Sequence, residues 1–385
     1  MRNTLLNFFF RTFIVCSVLG LSSARLLAVN ATVMGNLPGQ LVESSGVDFT
    51  GGSSFWTHND GYGDNNLYKV SNSGTLTRTV NVVGAVNYDW EDITHDYSRN
   101  YMFIGDFGNN ACDRTNLHIY RTPYPSTVSG SSVTAEVINF TYPDQQQFPS
   151  PWMNFDVESF VHHNGHLFLF TKTDGSAIGY TKMYSLPDVP GTYVATLVDS
   201  FYTNDRTTSA DISPDGSTLI LISNTHLHLF RNFQGSNFFE GQHTQINISG
   251  TWTQKEAVTF WSSNEIYLTD EDNGSGNHLY YIDLSAWVPA TLTGVSDHTI
   301  SDNENITAAP NPANASFSIQ LTTPHTEGVQ LRLFDLTGKM VREVIVKEPV
   351  SMLRMETADL PNGVYFYKLV ADRRELKTAR LVVSH

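Results

Sequence analysis

Five times along this chain a segment carrying an acid opens a strand, an apolar strand ending in a polar residue follows, and a third strand rich in Leu and Tyr comes after it. The copies open at Val42-Glu43-Ser44, Trp90-Glu91-Asp92, Val157-Glu158-Ser159, Ala210-Asp211-Ile212 and Lys255-Glu256-Ala257, with Ala210 at the glutamate position of the fourth. That position recurs at intervals of 48, 67, 52 and 46 residues. A unit of this size cannot bury its apolar face alone, so the copies must pack on one another. The expected fold is all-β, a β-propeller, with five blades favoured over six. Six blades would need strands hidden in the long second interval, where Tyr142-Pro143-Asp144-Gln145-Gln146-Gln147-Phe148-Pro149 reads instead as a loop.

The second strands are Phe55-Trp56-Thr57-His58, Phe103-Ile104-Gly105-Asp106, Leu169-Phe170-Thr171-Lys172, Leu221-Ile222-Ser223-Asn224 and Tyr267-Leu268-Thr269-Asp270. Neighbouring strands of a blade run antiparallel and the first strand lines the channel, so first-strand starts and second-strand ends share one channel mouth. Glu43, Glu91, Glu158 and Glu256 are therefore expected there with His58, Asp106, Lys172, Asn224 and Asp270. Further acids and amides, among them Asp60, Asp89, Asp92, Asn109, Asn110, Asp156, Glu271 and Asp272, lie beside them in sequence. Fourth strands are expected at 77–83, 133–142, 194–202 and 242–248. The fifth copy lacks one, and the segment 31–37 near the N-terminus is expected to supply it, closing the ring without a free edge.

Two readings of the polar ring compete. Strand-end acids and amides commonly accept backbone N–H groups and hold blades in register with no ligand. Several carboxylates around one opening also raise each other's pKa unless a cation or a donor-rich ligand neutralises them. Lys172, with Arg114 or His58, could do this internally. Otherwise Ca²⁺ is the expected ion, with Glu91, Asp106, Asp270 and Asp272 as candidate ligands, because hard oxygen donors at variable distances suit it. The Asp270-Glu271-Asp272-Asn273-Gly274 run opens like a helix–loop–helix calcium loop but carries Tyr281 where the last glutamate belongs. His162-His163 with His166 straddles a turn and His226 with His228 lies in a strand, so zinc is not expected. A net charge of −15 argues against a nucleic-acid partner, whose phosphates are bound by Lys and Arg.

Arg2 and Arg11 flank a Phe-rich start, and Phe13 to Leu21 is an apolar run ending near Ser22-Ser23-Ala24, with Ala28 a second cleavage point. Residues 1–28 read as a secretory signal peptide rather than a transmembrane anchor, the run falling well short of about 20 residues. Cys16 leaves with it, and Cys112, the other cysteine, reads as a small loop residue in a chain without an intramolecular disulfide. The propeller is expected over 30–298. A linker over 299–308 ends the Thr-, Ser-, Asp- and Asn-rich stretch from Pro289 to Ala308. A small β-sandwich is expected over 309–385.

Asp89-Trp90-Glu91-Asp92-Ile93 followed by Phe103-Ile104-Gly105-Asp106-Phe107-Gly108-Asn109-Asn110, and Phe55-Trp56-Thr57-His58-Asn59-Asp60-Gly61 in the first copy, resemble a group of secreted bacterial propeller proteins. In that group an aspartate is common where Asn109 stands. The resemblance implies the fold and an important rim, not a reaction. Pro310-Asn311-Pro312-Ala313, Leu331 to Lys339 with Asp335 and Gly338, Leu360-Pro361-Asn362-Gly363-Val364-Tyr365 and Ala379-Arg380-Leu381-Val382-Val383 resemble the C-terminal sorting domain of type IX secretion cargo. This resemblance implies passage through the periplasm, recognition by the outer-membrane secretion machinery, and a secreted or surface-attached protein. Asp335 and Gly338 are expected to bend a hairpin, and Asn362-Gly363 to supply a positive-φ turn before Tyr365.

The function expected is binding of a small polar ligand, glycan or peptide at an acidic channel mouth. Its residues would be Glu43, His58, Asp60, Asp89, Glu91, Asp106, Asn110, Glu158, Lys172, Glu256 and Asp270, with Trp56, Trp90, Trp152 and Trp252 near the rim either stacking on sugars or, equally well, packed between blades. The alternative is a Ca²⁺-dependent hydrolase of phosphoesters or esters, with Glu91 or Glu158 as general base. The sequence carries no nucleophile elbow, phosphate loop or Cys-x-x-Cys pair to favour it.

Overall fold

A computed structural model describes residues 28–50, 53–61, 63–96, 101–172, 179–250, 253–272, 274, 276–288, 306, 308–321, 328–335, 340–346, 350–371 and 374–385. The expected signal peptide, apart from Ala28, most of the linker, Trp252, Gly338 and Lys339 lie outside these residues.

Strands β1 (Ala28–Asn30) and β2 (Thr32–Asn36) come first. Blade one is β3 (Ser44–Phe49), β4 (Ser54–Asn59), β5 (Asn66–Ser71) and β6 (Leu76–Val83). Blade two runs β7 (Trp90–Asp96), β8 (Tyr101–Asp106), β9 (Leu117–Pro123), then β10 (Ser132–Thr134) and β11 (Glu136–Thr141). Blade three runs β12 (Asp156–His163), β13 (His166–Lys172), β14 (Tyr180–Pro187), β15 (Gly191–Val194) and β16 (Thr196–Tyr202). Blade four is β17 (Ser209–Ile212), β18 (Thr218–Ile222), β19 (His226–Arg231) and β20 (Gln242–Ser249). Blade five is β21 (Lys255–Ser262), β22 (Glu265–Asp270) and β23 (His278–Asp283), completed by β2, which pairs antiparallel with β23. The N-terminal strand thus closes the ring as the sequence predicts. The innermost strands follow one another as β3, β7, β12, β17 and β21, which returns to β3. The described residues form five blades, and residues 142–155 form a loop with no strand.

An apolar cluster fills each seam. Trp56 meets Trp90 and Ile104 between blades one and two, Phe103 meets Phe160 and Leu169 between two and three, and Phe170 meets Leu219 and Phe230 between three and four. Ile220 meets Val258 and Leu268 between four and five, and Val47 and Phe55 meet Tyr267 between one and five. A fully buried side chain of this size contributes about 1.5–3 kcal/mol, so the seams rather than any disulfide hold the ring. Trp56 and Trp90 are completely buried here, with their indole N–H groups donated to Ser126 Oγ (3.1 Å) and Val86 O (3.0 Å). They are seam residues and not ligand platforms; Trp152 is exposed among the described residues.

The fourth strands of blades two and three are each split, which the sequence pattern does not predict. β10 leaves blade two to pair parallel with β6 of blade one, and β15 leaves blade three to pair parallel with β11 of blade two. β1 does the same for blade four, pairing with β20. A short outer strand with a buried centre, such as Val29 or Val133, covers what would otherwise be a free edge.

Cys112 is buried at a positive φ in the loop after β8, where its carbonyl accepts Ser150 N–H (2.9 Å) and the Gln145 amide (2.9 Å). Its role is the structural one expected. The C-terminal sandwich stacks β24 (Ala308–Ala309), β25 (Ser316–Gln320) and β28 (Met352–Glu356) against β26 (Val329–Phe334), β27 (Met340–Val346), β29 (Gly363–Ala371) and β30 (Arg374–Val383). Phe317, Leu331, Leu353, Tyr367 and Leu381 lie in its core.

Candidate functional site

Glu91, Glu158 and Glu256 share one backbone device. In β7, Trp90 pairs with Asp106 and Asp92 with Gly105, leaving Glu91 unpaired between them. The same shift leaves Glu158 between Val157 and Ser159, and Glu256 between Lys255 and Ala257. Such a bulge bends the strand and re-aims the extra side chain. Blade four, with Ala210 at this position, keeps unbroken register. In blade one the irregularity falls between Ser44 and Val47, and Glu43 lies ahead of the strand and exposed, so it is not the equivalent of the other three.

The bulges bring carboxylates together. Asp60, Asp89 and Glu91 each offer an oxygen within 4.8 Å of the others, and so do Glu91, Asp156 and Glu158. The two groups share Glu91. In the second, the Lys172 ammonium contacts Glu158 and lies 3.9 Å from Asp156 Oδ2. The loop glycines Gly61 and Gly108 lie directly against the first: a Cβ on Gly108 would collide with Glu91 Oε1 and Asp89 Oδ2, and one on Gly61 with Asp89 Oδ1. The buried Asn87 amide fixes the same loop by donating to the carbonyls of Asn59 and Asp60 (both 3.2 Å).

Burial, and then the charge of neighbouring carboxylates, holds Glu91, Glu256 and Asp156 well above the ordinary carboxylate range. Asp60 is pushed up to about 8 by burial, with Glu158, Asp89 and Glu271 adding to it against the Gly61 N–H. Glu271 is pushed up to about 7 by burial, Glu43 and Glu158. Burial opposes the Lys172 ammonium, yet Glu158, Asp156, Glu91 and Glu256 outweigh it and raise its pKa.

Other expected site residues have structural partners. Asp106 accepts Arg114 Nη2 (2.8 Å), Asp89 N–H (3.1 Å) and the Tyr120 hydroxyl (3.4 Å). Asp270, its counterpart in blade five, accepts His278 N–H and the Tyr280 hydroxyl (2.7 Å). Both are fully buried register pins, which removes them from the metal set expected from sequence. Asp272 is exposed and caps its own turn by accepting Gly274 N–H (3.1 Å). His58 is completely buried edge-on to Trp90, and burial lowers its pKa to about 4, so it neither reaches the mouth nor supplies a cation. Asn110 is exposed. Asn109 is a loop staple, accepting Asp113 and Arg114 N–H groups (both 2.9 Å). Lys255, which the sequence reading passes over, is buried beside Glu256 with its ammonium 3.3 Å from Thr253 O, and burial lowers its pKa to about 8.

Deeper in the channel the acids are tied to backbone. Asp92 accepts Phe160 N–H (3.2 Å), Ala210 N–H (3.4 Å) and the Ser209 hydroxyl (3.4 Å), joining blades two, three and four. Asp211 accepts Phe260 N–H (2.7 Å), and Thr259 Oγ1 accepts Phe49 N–H (3.1 Å). At the far ends of the strands His162 bonds Asp188 (2.9 Å) near Asp96, while at the mouth end of blade four, out toward its third strand, Asp205 receives His226 (2.6 Å) and His228 (3.4 Å). His243 lies 3.1 Å beyond, a grouping that sequence spacing alone does not reveal.

In the sandwich, Asn311 clasps β30 by donating to Arg380 O (2.9 Å) and accepting Val382 N–H (2.8 Å) between Pro310 and Pro312. Asp335 follows β26 at the bend into β27. Tyr365 is buried and its hydroxyl donates to Pro361 O (2.8 Å). Neither Asn362 nor Gly363 has the positive φ expected of them; Gly363 opens β29, and Asn362 Oδ1 accepts His385 N–H (2.8 Å) instead.

Residues 307–384 match the secretion system C-terminal sorting domain. No curated protein matches the chain in sequence. Among solved structures the chain is similar to the catalytic domain of Coprinopsis cinerea GH62 α-L-arabinofuranosidase at 12% identity, covering 68% of this chain and 98% of that one with a TM-score of 0.42. It is similar to the RRP9 WD40 repeats at 10% identity, covering 63% and 67% with a TM-score of 0.33. U3-55K shows 12% identity, covering 80% and 83% with a TM-score of 0.34. The architecture stated above rests on the strand pairing itself.

Proposed function

We propose that this protein is a binding module whose acidic channel mouth holds a small polar ligand, glycan or peptide through its cationic or donor-rich groups. The C-terminal domain is a type IX sorting tail and marks an exported protein, secreted or held at the cell surface. No helix among the described residues is long and apolar enough to cross a membrane. One observation carries the binding reading: Asp60, Asp89, Glu91, Asp156, Glu158, Glu256 and Glu271 face one another, with Lys172 the one cation ion-paired among them in the described residues. Such an excess of like charge favours a ligand that brings positive charge or many donors. Calorimetric titration of the full-length protein with trilysine, triglutamate and neutral oligosaccharides tests it. Trilysine or a neutral glycan is expected to bind, more weakly in the Glu256→Gln variant. Binding of triglutamate alone, or binding indifferent to Glu256, would sink the reading.

A hydrolytic use of the same mouth is favoured by one feature, the burial and neighbouring carboxylates that raise Glu91 above the ordinary carboxylate range, as they do for groups that move protons in active sites. Glu158, tied to Lys172, suits that role less. Turnover of p-nitrophenyl esters or phosphates that vanishes in Glu91→Gln and in EDTA is the outcome this variant requires. The leader is proposed to end at Ala24, because β1 begins at Ala28 and pairs Ala28 with Asn247. N-terminal sequencing of the exported protein decides between Ala24 and Ala28.

A further inference from the structure

We propose that Asp60, Asp89 and Glu91 form a seat for one divalent cation, Ca²⁺ by the chemistry of its donors, at the seam of blades one and two. The inference rests on the mouth being the functional site and names what that site carries. Two carboxylate triads abut through Glu91. The fold supplies a cation to one of them, the Lys172 ammonium against Glu158 and Asp156. No lysine or arginine among the described residues forms an ion pair with a member of the other; the nearby Arg114 is engaged with Asp106.

A second, independent observation points to a ligand. Glu91 is 4% exposed, yet its carboxylate has no hydrogen bond or ion pair among the described residues. Leaving such a group buried and unpaired is costly. The bulge that aims it, and the glycines at 61 and 108 whose missing side chains let loop backbone lie against Asp89 and Glu91, are features of a built site. All three donors are oxygens, and two come from loops rather than strands. Ca²⁺ accepts such irregular sets and completes its shell of about six to eight oxygens with carbonyls and water, whereas zinc prefers nitrogen and sulfur and Mg²⁺ demands strict octahedral geometry.

The test uses the full-length protein stripped with EDTA. Calorimetry with Ca²⁺ alone is expected to give one site, and Tb³⁺ should luminesce on excitation of Trp90 and Tyr88 and be displaced by Ca²⁺. Asp60→Asn and Asp89→Asn are each expected to weaken Ca²⁺ binding at least about tenfold, while Asp272→Asn, an exposed acid outside the triad, leaves it unchanged. Unfolding midpoints in EDTA establish that each variant is folded. The inference falls if wild-type protein shows neither heat nor luminescence up to about millimolar Ca²⁺, the weak end of extracellular sites, or if both triad variants bind as wild type does. Trilysine or glycan binding without Ca²⁺ binding would remove the seat and leave the binding module; Ca²⁺ binding without either ligand would do the reverse.

Discussion

Glu91 and Asp92 are consecutive residues of one strand, both buried, and they meet opposite fates. Burial raises the Asp92 carboxyl as well, but Asp92 receives N–H and hydroxyl groups from two other blades, which offset part of that cost and satisfy donors those strands would otherwise leave unpaired. Glu91, pushed out by the bulge, faces only other carboxylates and the distant side of Lys172. The difference separates a channel waist whose acids hold the fold from a mouth whose acids work against it. A carboxylate that stabilises nothing in its own protein is the kind of group that a ligand explains.

The largest expected effect tests the balance at the mouth. Lys172→Met leaves Glu158 and Asp156 without their ammonium and should lower the unfolding free energy by about 3–5 kcal/mol, as breaking a buried pair does; urea titration at neutral pH would show it. Next, Asp92→Ala strips acceptors from three blades and should cost about 3 kcal/mol. A loss below that of a surface substitution would erase the distinction between waist and mouth.

Proton linkage sharpens the comparison. Asp60 and Glu271 have folded-state values of about 8 and about 7, above their ordinary 3.8 and 4.5. Their stabilising contribution is complete below the ordinary values and is lost as pH rises through the folded ones. Metal-free protein should therefore unfold at progressively lower temperature from pH 5 to pH 8, and Asp60→Asn with Glu271→Gln should flatten that slope. A slope that survives both changes belongs to the remaining raised acids, Glu91, Asp156 and Glu256 of the mouth and Asp92 of the waist. Glu91→Gln in EDTA should raise stability by about 1 kcal/mol by removing repulsion, the reverse of the Asp92 result. The smallest effect belongs to Asp272→Asn, within about 0.5 kcal/mol.

Much of this was legible in the sequence because a propeller repeats its spacing. Blade number, ring closure by the segment at 31–37 and the loop at 142–149 all follow from where apolar runs stop. The convergence of Glu91, Glu158, Glu256 and Lys172 follows from the antiparallel order of strands. What spacing cannot reveal is register within a strand. One extra residue decides that Glu91 points into the mouth while Glu43 stays outside it, and the bulge has no residue type of its own. Nor can spacing distinguish Asp106 and Asp270 from free rim acids, because their partners, Tyr120 and Tyr280, are set by the third strand's pairing. The tryptophans mislead for a related reason: a large ring near a polar turn suits a rim or a seam equally, and here the seam takes Trp56 and Trp90.

The pairing of β2 with β23, Thr32 opposite Tyr281, joins the two ends of the propeller. Its chain-entropy cost must be met before any contact compensates it, which makes this closure a late and slow event among the local hairpins that precede it. Until then the unfinished ring exposes one edge of blade five, a row of unpaired backbone groups open to pairing with other chains. A protein that emerges N-terminus first therefore holds its own closing strand in reserve throughout synthesis. The moment at which the chain becomes safe from aggregation is set by the arrival of its last blade rather than by the growth of its core.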